Sequence, residues 1–185
     1  MNQTSTQDGV VLVHRSMSVD GFIAGPDHAM DWVFGYLAPD DFPEIITATG
    51  AILAGRRTYD VGRRDADKAT GEAYGGAWSG PQFVLTHRPP QDPGPDVTFL
   101  TDDIESAVAT ARNAAHGKNL EIFGSDVTRQ ALEHGLVDMI LVHIVPLLLG
   151  EGTPFSPAGS PRTNLQPVDT TRSGSVTTLH FRVLK

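Results

Sequence analysis

The chain predicts an α/β fold, a central mixed and mostly parallel β-sheet flanked by helices and ending in an antiparallel hairpin. Three observations carry this expectation. Short apolar, β-branched runs bounded by turn residues recur along the chain, as in strands buried on both faces. Between residues 97 and 145 strand-like and helix-like patterns alternate, the order that places parallel strands beside crossover helices. Near the C-terminus, Ser173-Gly174-Ser175 separates two extended runs, 168–172 and 176–183, as a hairpin turn does.

The elements follow in order. Residues 10–13 are a continuous β-branched strand, preceded by a loose polar tail over residues 1–9. Asp20-Gly21 and Gly25-Pro26-Asp27 mark a long irregular loop over residues 17–32, and long loops in compact domains are often functional. A short helix is expected over 40–49 and a second buried strand over 51–54, which runs into Gly55-Arg56-Arg57-Thr58-Tyr59. The stretch 63–81 carries Gly71, Gly75, Gly76 and Gly80, with Tyr74 and Trp78 its only large apolar groups, and reads as a mobile flap. Strands follow at 83–85 and 97–100, and the prolines at 89, 90, 93 and 95 forbid helix between them. Asp102 with Glu105 resembles a capping box. Ile104, Ala107, Val108 and Ala111 then recur on one helix face until Gly117. A strand over 120–123, a helix over 127–134 stopped by Gly135, and a strand over 139–145 ended by Pro146 complete the alternation.

Size and composition narrow the function. With 185 residues and 19.8 kDa, the chain suffices for one sizeable core and is short for two, so residues 10–185 are expected to form a single domain. A net charge of −8 argues against nucleic acid or an anionic membrane as main partner. There is no apolar run that would span a bilayer, and the polar N-terminus lacks the regions of a signal peptide, so a cytoplasmic protein is expected. The absence of cysteine excludes disulfides, thiol nucleophiles and cysteine-bound zinc. Of the seven histidines no two are three or four apart, which leaves a metal site on one helix face unsupported, and no metal is expected.

One feature stands out chemically. Gly124-Ser125 lies between a strand end and a helix start, where the backbone can approach a ligand and unpaired N–H groups can hold an anion. The same residues are equally compatible with an ordinary strand-to-helix turn. Asp126 would repel a phosphate there, so it is read as a helix cap.

Three separated pieces resemble one superfamily. Ser18-Val19-Asp20-Gly21-Phe22-Ile23-Ala24 is similar to the Ser-Leu-Asp-Gly segment of riboflavin-biosynthesis reductases, and Asp20-Gly21 through Trp32 to the mobile substrate loop of dihydrofolate reductases. Gly55-Arg56-Arg57-Thr58-Tyr59 resembles the Gly-Arg-x-Thr-Trp stretch of the latter. Gly135-Leu136-Val137-Asp138 and Ile144-Val145-Pro146-Leu147-Leu148-Leu149-Gly150 resemble Gly-Leu-Val-Asp-Glu and Ala-Pro-x-Leu-Leu-Gly of the riboflavin reductases. In this order and spacing the chain resembles the dihydrofolate reductase-like superfamily, and within it the RibD C-terminal domain family, over nearly its whole length.

The resemblance implies a dihydrofolate reductase-like fold and NADPH in a groove between strand ends. Ile23, Ala24, Gly55, Arg56, Arg57, Thr58, Thr86, His87, Arg88, Gly124, Ser125, Val127 and Thr128 are then its contacts. A 2′-phosphate needs local cations, and Arg57 and Arg88 offer planar forks of donors, although a solvated surface is the usual place of an arginine. On the substrate side the resemblance points to Ser16, Trp32 and Asp40 as binding residues and to His14 and Asp41 as catalytic ones. Asp40 and Asp41 are equally suited to cap a helix. His14 stands where the riboflavin reductases carry lysine, Phe123 where they carry glutamate, and Val142 where dihydrofolate reductases carry threonine. A histidine at that strand end can donate a proton near neutral pH. Tyr59 is a further candidate for the pocket wall.

The implied activity is transfer of hydride from NADPH to a small nitrogen heterocycle or its imine or carbonyl, as in 5-amino-6-(5-phosphoribosylamino)uracil reductase. The alternatives are a dihydrofolate reductase and a non-catalytic NADP(H)-binding module of the same fold. No Cys-x-x-Cys or His-x-Glu set accompanies it, so no deaminase half is expected in the chain. A homodimer is also implied, with the apolar stretch 140–149 as its contact.

Overall fold

Eight strands form one sheet in the computed structural model, which describes residues 9–68, 71–94 and 96–185. The expected tail lies outside the described residues except for Gly9, whose N–H donates to the Gly117 carbonyl at 3.0 Å. Residues 69 and 70 of the expected flap and Pro95 also lie outside them.

The strands are β1 (Val11–Ser18), β2 (Phe22–Ala24), β3 (Thr49–Gly55), β4 (Gln82–Leu85), β5 (Val97–Leu100), β6 (Asn119–Phe123), β7 (Met139–Val145), β8 (Thr153–Pro154), β9 (Asn164–Ser173) and β10 (Val176–Leu184). The helices are α1 (Pro43–Ala48), α2 (Arg56–Arg64), α3 (Ile104–Ala114) and α4 (Ser125–Glu133). Spatial order in the large sheet is β5-β4-β3-β6-β1-β7-β10-β9, and β2 pairs separately with β8. From β5 to β7 all neighbours are parallel, and β10 and β9 add antiparallel pairs, as the alternation and the terminal hairpin predict.

Period-two alternation divides the central strands between two faces. On one face Val11, Val13, Ala51, Leu53, Leu120, Ile122, Ile140 and Val142 join Ile104, Ala107, Val108 and Ala111 of α3 and Val127 and Ala131 of α4 in the main core. The opposite face carries His14, Glu121 and His143, all buried. This second face positions the site.

The α3 periodicity is as expected, but its cap is shifted by one residue. Asp103 is the N-cap and accepts the Ser106 N–H at 2.8 Å, because its extended backbone turns Oδ1 onto the first turn. Asp126 is likewise no cap: Gly124 holds that place, and the Asp126 carboxylate accepts from Arg129 and Gln130 within α4. The loop expected over 17–32 is partly ordered by hydrogen bonding, since β1 continues to Ser18 and residues 22–24 pair with β8. The stretch 140–149, expected as a subunit contact, is buried in part. Between β1 and β10, β7 buries Ile140, Val142 and Val145 in the chain's own core, while Leu148 is exposed. Among the described residues no helix is long and apolar enough to cross a membrane.

Candidate functional site

A cleft of about 1080 Å³ opens where β1, β3, β4 and β6 end, the edge at which open parallel sheets commonly bind ligands. Two helices begin there. Gly55 ends β3 and is the N-cap of α2, and Gly124 follows β6 and is the N-cap of α4, neither start carrying a side-chain cap. The two starts touch through missing side chains. A Cβ on Gly124, whose φ is +93°, would stand 2.9 Å from Thr58 Oγ1, and one on Gly55 would stand 3.1 Å from Val127. Leading N–H groups of both helices are thereby left for a ligand.

Side chains complete this half. Arg57 lines the cleft, is exposed, and makes no hydrogen bond or ion pair among the described residues. Arg56 is held instead, its Nε donating to Asp60 at 2.8 Å and its Nη1 to the Arg88 carbonyl. Ser125 Oγ donates to the Pro154 carbonyl at 2.6 Å, which joins α4 to the small sheet. Ile23, Ala24, Thr58, Thr86, His87, Val127 and Ser16 also line the cleft, as does Tyr59.

Five residues predicted for the site do not line it. Thr128 is buried and donates to the Gly124 carbonyl at 2.8 Å, so it shapes the turn. Arg88 contributes its main chain, whose N–H donates to Thr86 Oγ1 at 3.1 Å. Trp32 packs against Leu37, Val145 and Val176 in a small second core, with its indole N–H buried and unpartnered among the described residues. Asp40 and Asp41 are exposed, and Asp41 Oδ2 accepts the Ala38 N–H at 2.7 Å within a turn.

Two of the motif segments are fastened to each other. Ser18 Oγ donates to Asp20 Oδ1 at 2.6 Å, and the Asp20 carboxylate accepts the N–H groups of Leu149 (3.1 Å) and Gly150 (2.7 Å). The Ser18 bond first, then those N–H groups, holds the Asp20 carboxyl below its ordinary pKa. This clasp fastens the loop after β1 to the segment after β7.

The other half of the cleft is a chain of polar side chains. His143 Nδ1 meets Thr178 Oγ1 at 2.7 Å, and His143 Nε2 meets His14 Nε2 at 2.6 Å. His14 Nδ1 meets the Tyr74 hydroxyl at 2.8 Å, and that hydroxyl lies 2.7 Å and 2.8 Å from the two Glu121 oxygens. Thr49 Oγ1 contacts Glu121 Oε1 and donates to the Ile45 carbonyl at 2.8 Å. His14 and Tyr74 line the cleft, and the others stand behind them. The Phe42 ring packs 5.2 Å from His14 and 4.7 Å from His143.

Burial sets the protonation of this chain. It holds His14 well below its ordinary pKa, with His143 and then Arg15 adding to the effect, and lowers His143 to about 4 against a small opposing field from Asp41. Glu121 is pushed up by burial despite bonds from Thr49 and Tyr74, and Tyr74 is pushed up by burial and by Glu121. Arg15 falls to about 10, again through burial. Its guanidinium lies 5.1 Å from the Phe123 ring centroid and donates to the carbonyls of His14 and Ile122. A neutral histidine pair beside a neutral phenol can pass or donate a proton.

Of these six side chains, sequence reasoning identifies His14 alone as a site residue. Glu121 and His143 carry a signal it leaves unused, since each is a titratable residue inside an otherwise apolar strand and a buried polar group requires partners. Tyr74 lies in the segment expected to be a mobile flap, which it and Trp78 fasten to the sheet, Trp78 Nε1 donating to the Thr49 carbonyl at 3.1 Å. Among the described residues no group of three or more acidic or histidine side chains could hold a metal ion.

Comparison with known proteins gives a coherent result. A family model, the RibD C-terminal domain, matches residues 10–179. The uncharacterized protein YyaP of Bacillus subtilis (strain 168) is 25% identical over 167 residues, covering 86% of this chain and 87% of that protein. A crystal structure of a candidate riboflavin biosynthesis protein from Shewanella sp. PV-4 superposes with a TM-score of 0.78 at 22% identity, covering 95% of this chain and 99% of the other. Dihydrofolate reductase from Enterococcus faecalis, complexed with NADP(H), gives 0.62 at 16% identity, covering 96% and 98%. The fold is therefore dihydrofolate reductase-like.

Proposed function

The chain belongs to the RibD C-terminal domain family, and from that and its cleft we propose that it is an NADPH-dependent reductase of a small nitrogen heterocycle or its imine or carbonyl. One observation carries the cofactor assignment: two uncapped helix starts converge through Gly55 and Gly124 at the strand ends, with the free guanidinium of Arg57 beside them. That space, which a Cβ would fill, fits a pyrophosphate approaching the main chain. NADPH would supply the hydride, and the protein supplies orientation, a dry pocket and a proton. The N–H groups at Arg56–Thr58 and Ser125–Val127 would hold the pyrophosphate, and Arg57 the 2′-phosphate. His14, Phe42, Tyr74 and Phe123 form an aromatic wall against which a planar substrate can lie.

The dihydrofolate reductase alternative needs a carboxylate against the pterin, and Asp40 and Asp41 do not line the cleft. This favours the riboflavin-type reading. Fluorescence titration should show NADPH binding more tightly than NADH. NADPH oxidation should then proceed with 5-amino-6-(5-phosphoribosylamino)uracil or a related heterocycle and not with dihydrofolate. Failure to bind either nucleotide would overturn the reading.

A further inference from the structure

The buried chain behind the aromatic wall can be read proton by proton. The Thr49 hydroxyl has one hydrogen and two acceptors in reach, Glu121 Oε1 and the Ile45 carbonyl at 2.8 Å, which also accepts the Thr49 main-chain N–H. With that hydrogen on Ile45, the contact between Thr49 Oγ1 and Glu121 Oε1 is made by a carboxyl hydrogen. Glu121 is fully buried, and Arg15 donates to two main-chain carbonyls and forms no ion pair with it among the described residues, although its charge is felt at the carboxyl. A buried carboxylate without an ion pair would be costly, whereas a neutral acid satisfies every partner.

Tyr74 is the group that joins this acid to the cleft. Its hydroxyl lies within 2.8 Å of both Glu121 oxygens and of His14 Nδ1, and it lines the cavity. Its backbone is left-handed, with φ at +54° just before Gly75 and Gly76, a conformation that costs a non-glycine residue energy and is retained where the side chain must be placed. The His14–His143 pair can run in either direction, and the tautomers that serve Tyr74 have Thr178 donating to His143 Nδ1, His143 Nε2–H donating to His14 Nε2, and His14 Nδ1–H donating to Tyr74.

We propose that Tyr74 is the proton donor of the reduction and that Glu121, held as a carboxylic acid, resupplies it, with His14 and His143 as positioning residues. The proposal rests on the reductase reading. When hydride from the reduced nicotinamide adds to the carbon of a C=N or C=O group, a C–H bond forms and the π bond breaks. The nitrogen or oxygen takes the Tyr74 proton, and the phenolate takes the Glu121 proton, which turns from Thr49 to Tyr74 while the Thr49 hydrogen turns from Ile45 to the carboxylate left behind. Solvent restores that proton through Tyr74 once product has left the open cleft. The substrate gains two electrons and the nicotinamide loses them. The raised pKa of Glu121 and the lowered values of both histidines agree with this all-neutral arrangement.

Two measurements test it. Infrared spectra at pH 7 should contain the carbonyl stretch of a protonated carboxyl group that vanishes in Glu121→Gln; an ionised Glu121 in the wild type overturns the proposal, whether or not any substrate is turned over. In NADPH oxidation with the same heterocycles, Tyr74→Phe should lower kcat about a hundredfold with KM and NADPH affinity unchanged, the size expected for loss of a general acid. Glu121→Gln should lower kcat less and shift its alkaline limb. Facing Glu121 are Thr49 from β3, His14 and Arg15 from β1, and Tyr74, and the shift should persist in Arg15→Met if the carboxyl is its source. Full kcat in Tyr74→Phe sinks the proposal. Absent NADPH binding would sink the reductase reading instead, and the infrared result would still decide the state of Glu121.

Discussion

The two halves of the cleft are built from different materials. On the side assigned to the cofactor, the site is main chain: two helix starts come together because Gly55 and Gly124 have no side chains. On the other side, six side chains from Thr178 to Thr49 satisfy one another in a largely buried row, and the main chain spaces five of them along β1, β3, β6, β7 and β10 and brings in Tyr74 from the turn 73–76. A main-chain site fails by steric intrusion at one residue. A side-chain row fails by a change of charge anywhere along it, because low polarity makes each unsatisfied group expensive.

The sharpest way to break that contrast is acid, which should strike the side-chain half. His143 titrates near 4 in the folded chain and near 6.5 when unfolded. Between those values the unfolded state binds more protons, so stability is full above pH 6.5 and is lost as pH falls toward 4. For His143 alone the loss is on the order of 3 kcal/mol, and His14 works in the same direction. Glu121 has the opposite sign, its folded pKa being raised, so its contribution is full at low pH and declines as pH rises. Urea midpoints at pH 7, 5.5 and 4 should therefore fall steeply in the wild type and clearly less in His143→Gln. Parallel slopes would show that the histidine pair is not the titrating element.

The same contrast explains which parts of the molecule are legible in its sequence. Main-chain sites need glycines at fixed places, and Gly55-Arg56-Arg57-Thr58 and Gly124-Ser125 are contiguous, so they stand out in the linear chain. The parallel order of the sheet is equally legible, because apolar strands alternate with periodic helices. The side-chain row is spread over Thr49, Tyr74, Glu121, His143 and Thr178; strand register brings four of them to His14, and the turn 73–76 brings Tyr74. Asp40 and Asp41 mislead for a related reason. An acid near a helix start serves a cap or a substrate equally well in sequence, and here Asp41 accepts a turn N–H.

A smaller effect is expected where the main-chain half is tested by adding one methyl group. Gly124 has φ +93° and ψ 143°, a region almost reserved for glycine, so Gly124→Ala should cost about 2 kcal/mol. It also presses on Thr58 Oγ1 at 2.9 Å and should displace the α2 start, which weakens NADPH binding. Gly55→Ala should cost less, since its φ of −88° suits any residue and the methyl meets only Val127 Cγ2 at 3.1 Å. Neither variant should alter the acid slope. If Gly124→Ala flattened it, the two halves would be coupled and could not be treated as separate materials.

The smallest change separates the side chains that dress the main-chain half. Arg57 stands free on the cleft wall, whereas Arg56 is tied to Asp60 and to the Arg88 carbonyl, and the Arg88 side chain does not line the cavity. If the free guanidinium reads a 2′-phosphate, Arg57→Ala should weaken NADPH about tenfold and leave NADH nearly unchanged, as loss of a charge-assisted contact would. Arg88→Ala keeps the carbonyl that positions Arg56, so it should leave both nucleotides almost unaffected. Titrating both nucleotides against the two variants distinguishes recognition from general attraction. Equal losses for NADPH and NADH in Arg57→Ala would mean that the arginine acts on charge the two share, and the selectivity would have to come from elsewhere in the cleft.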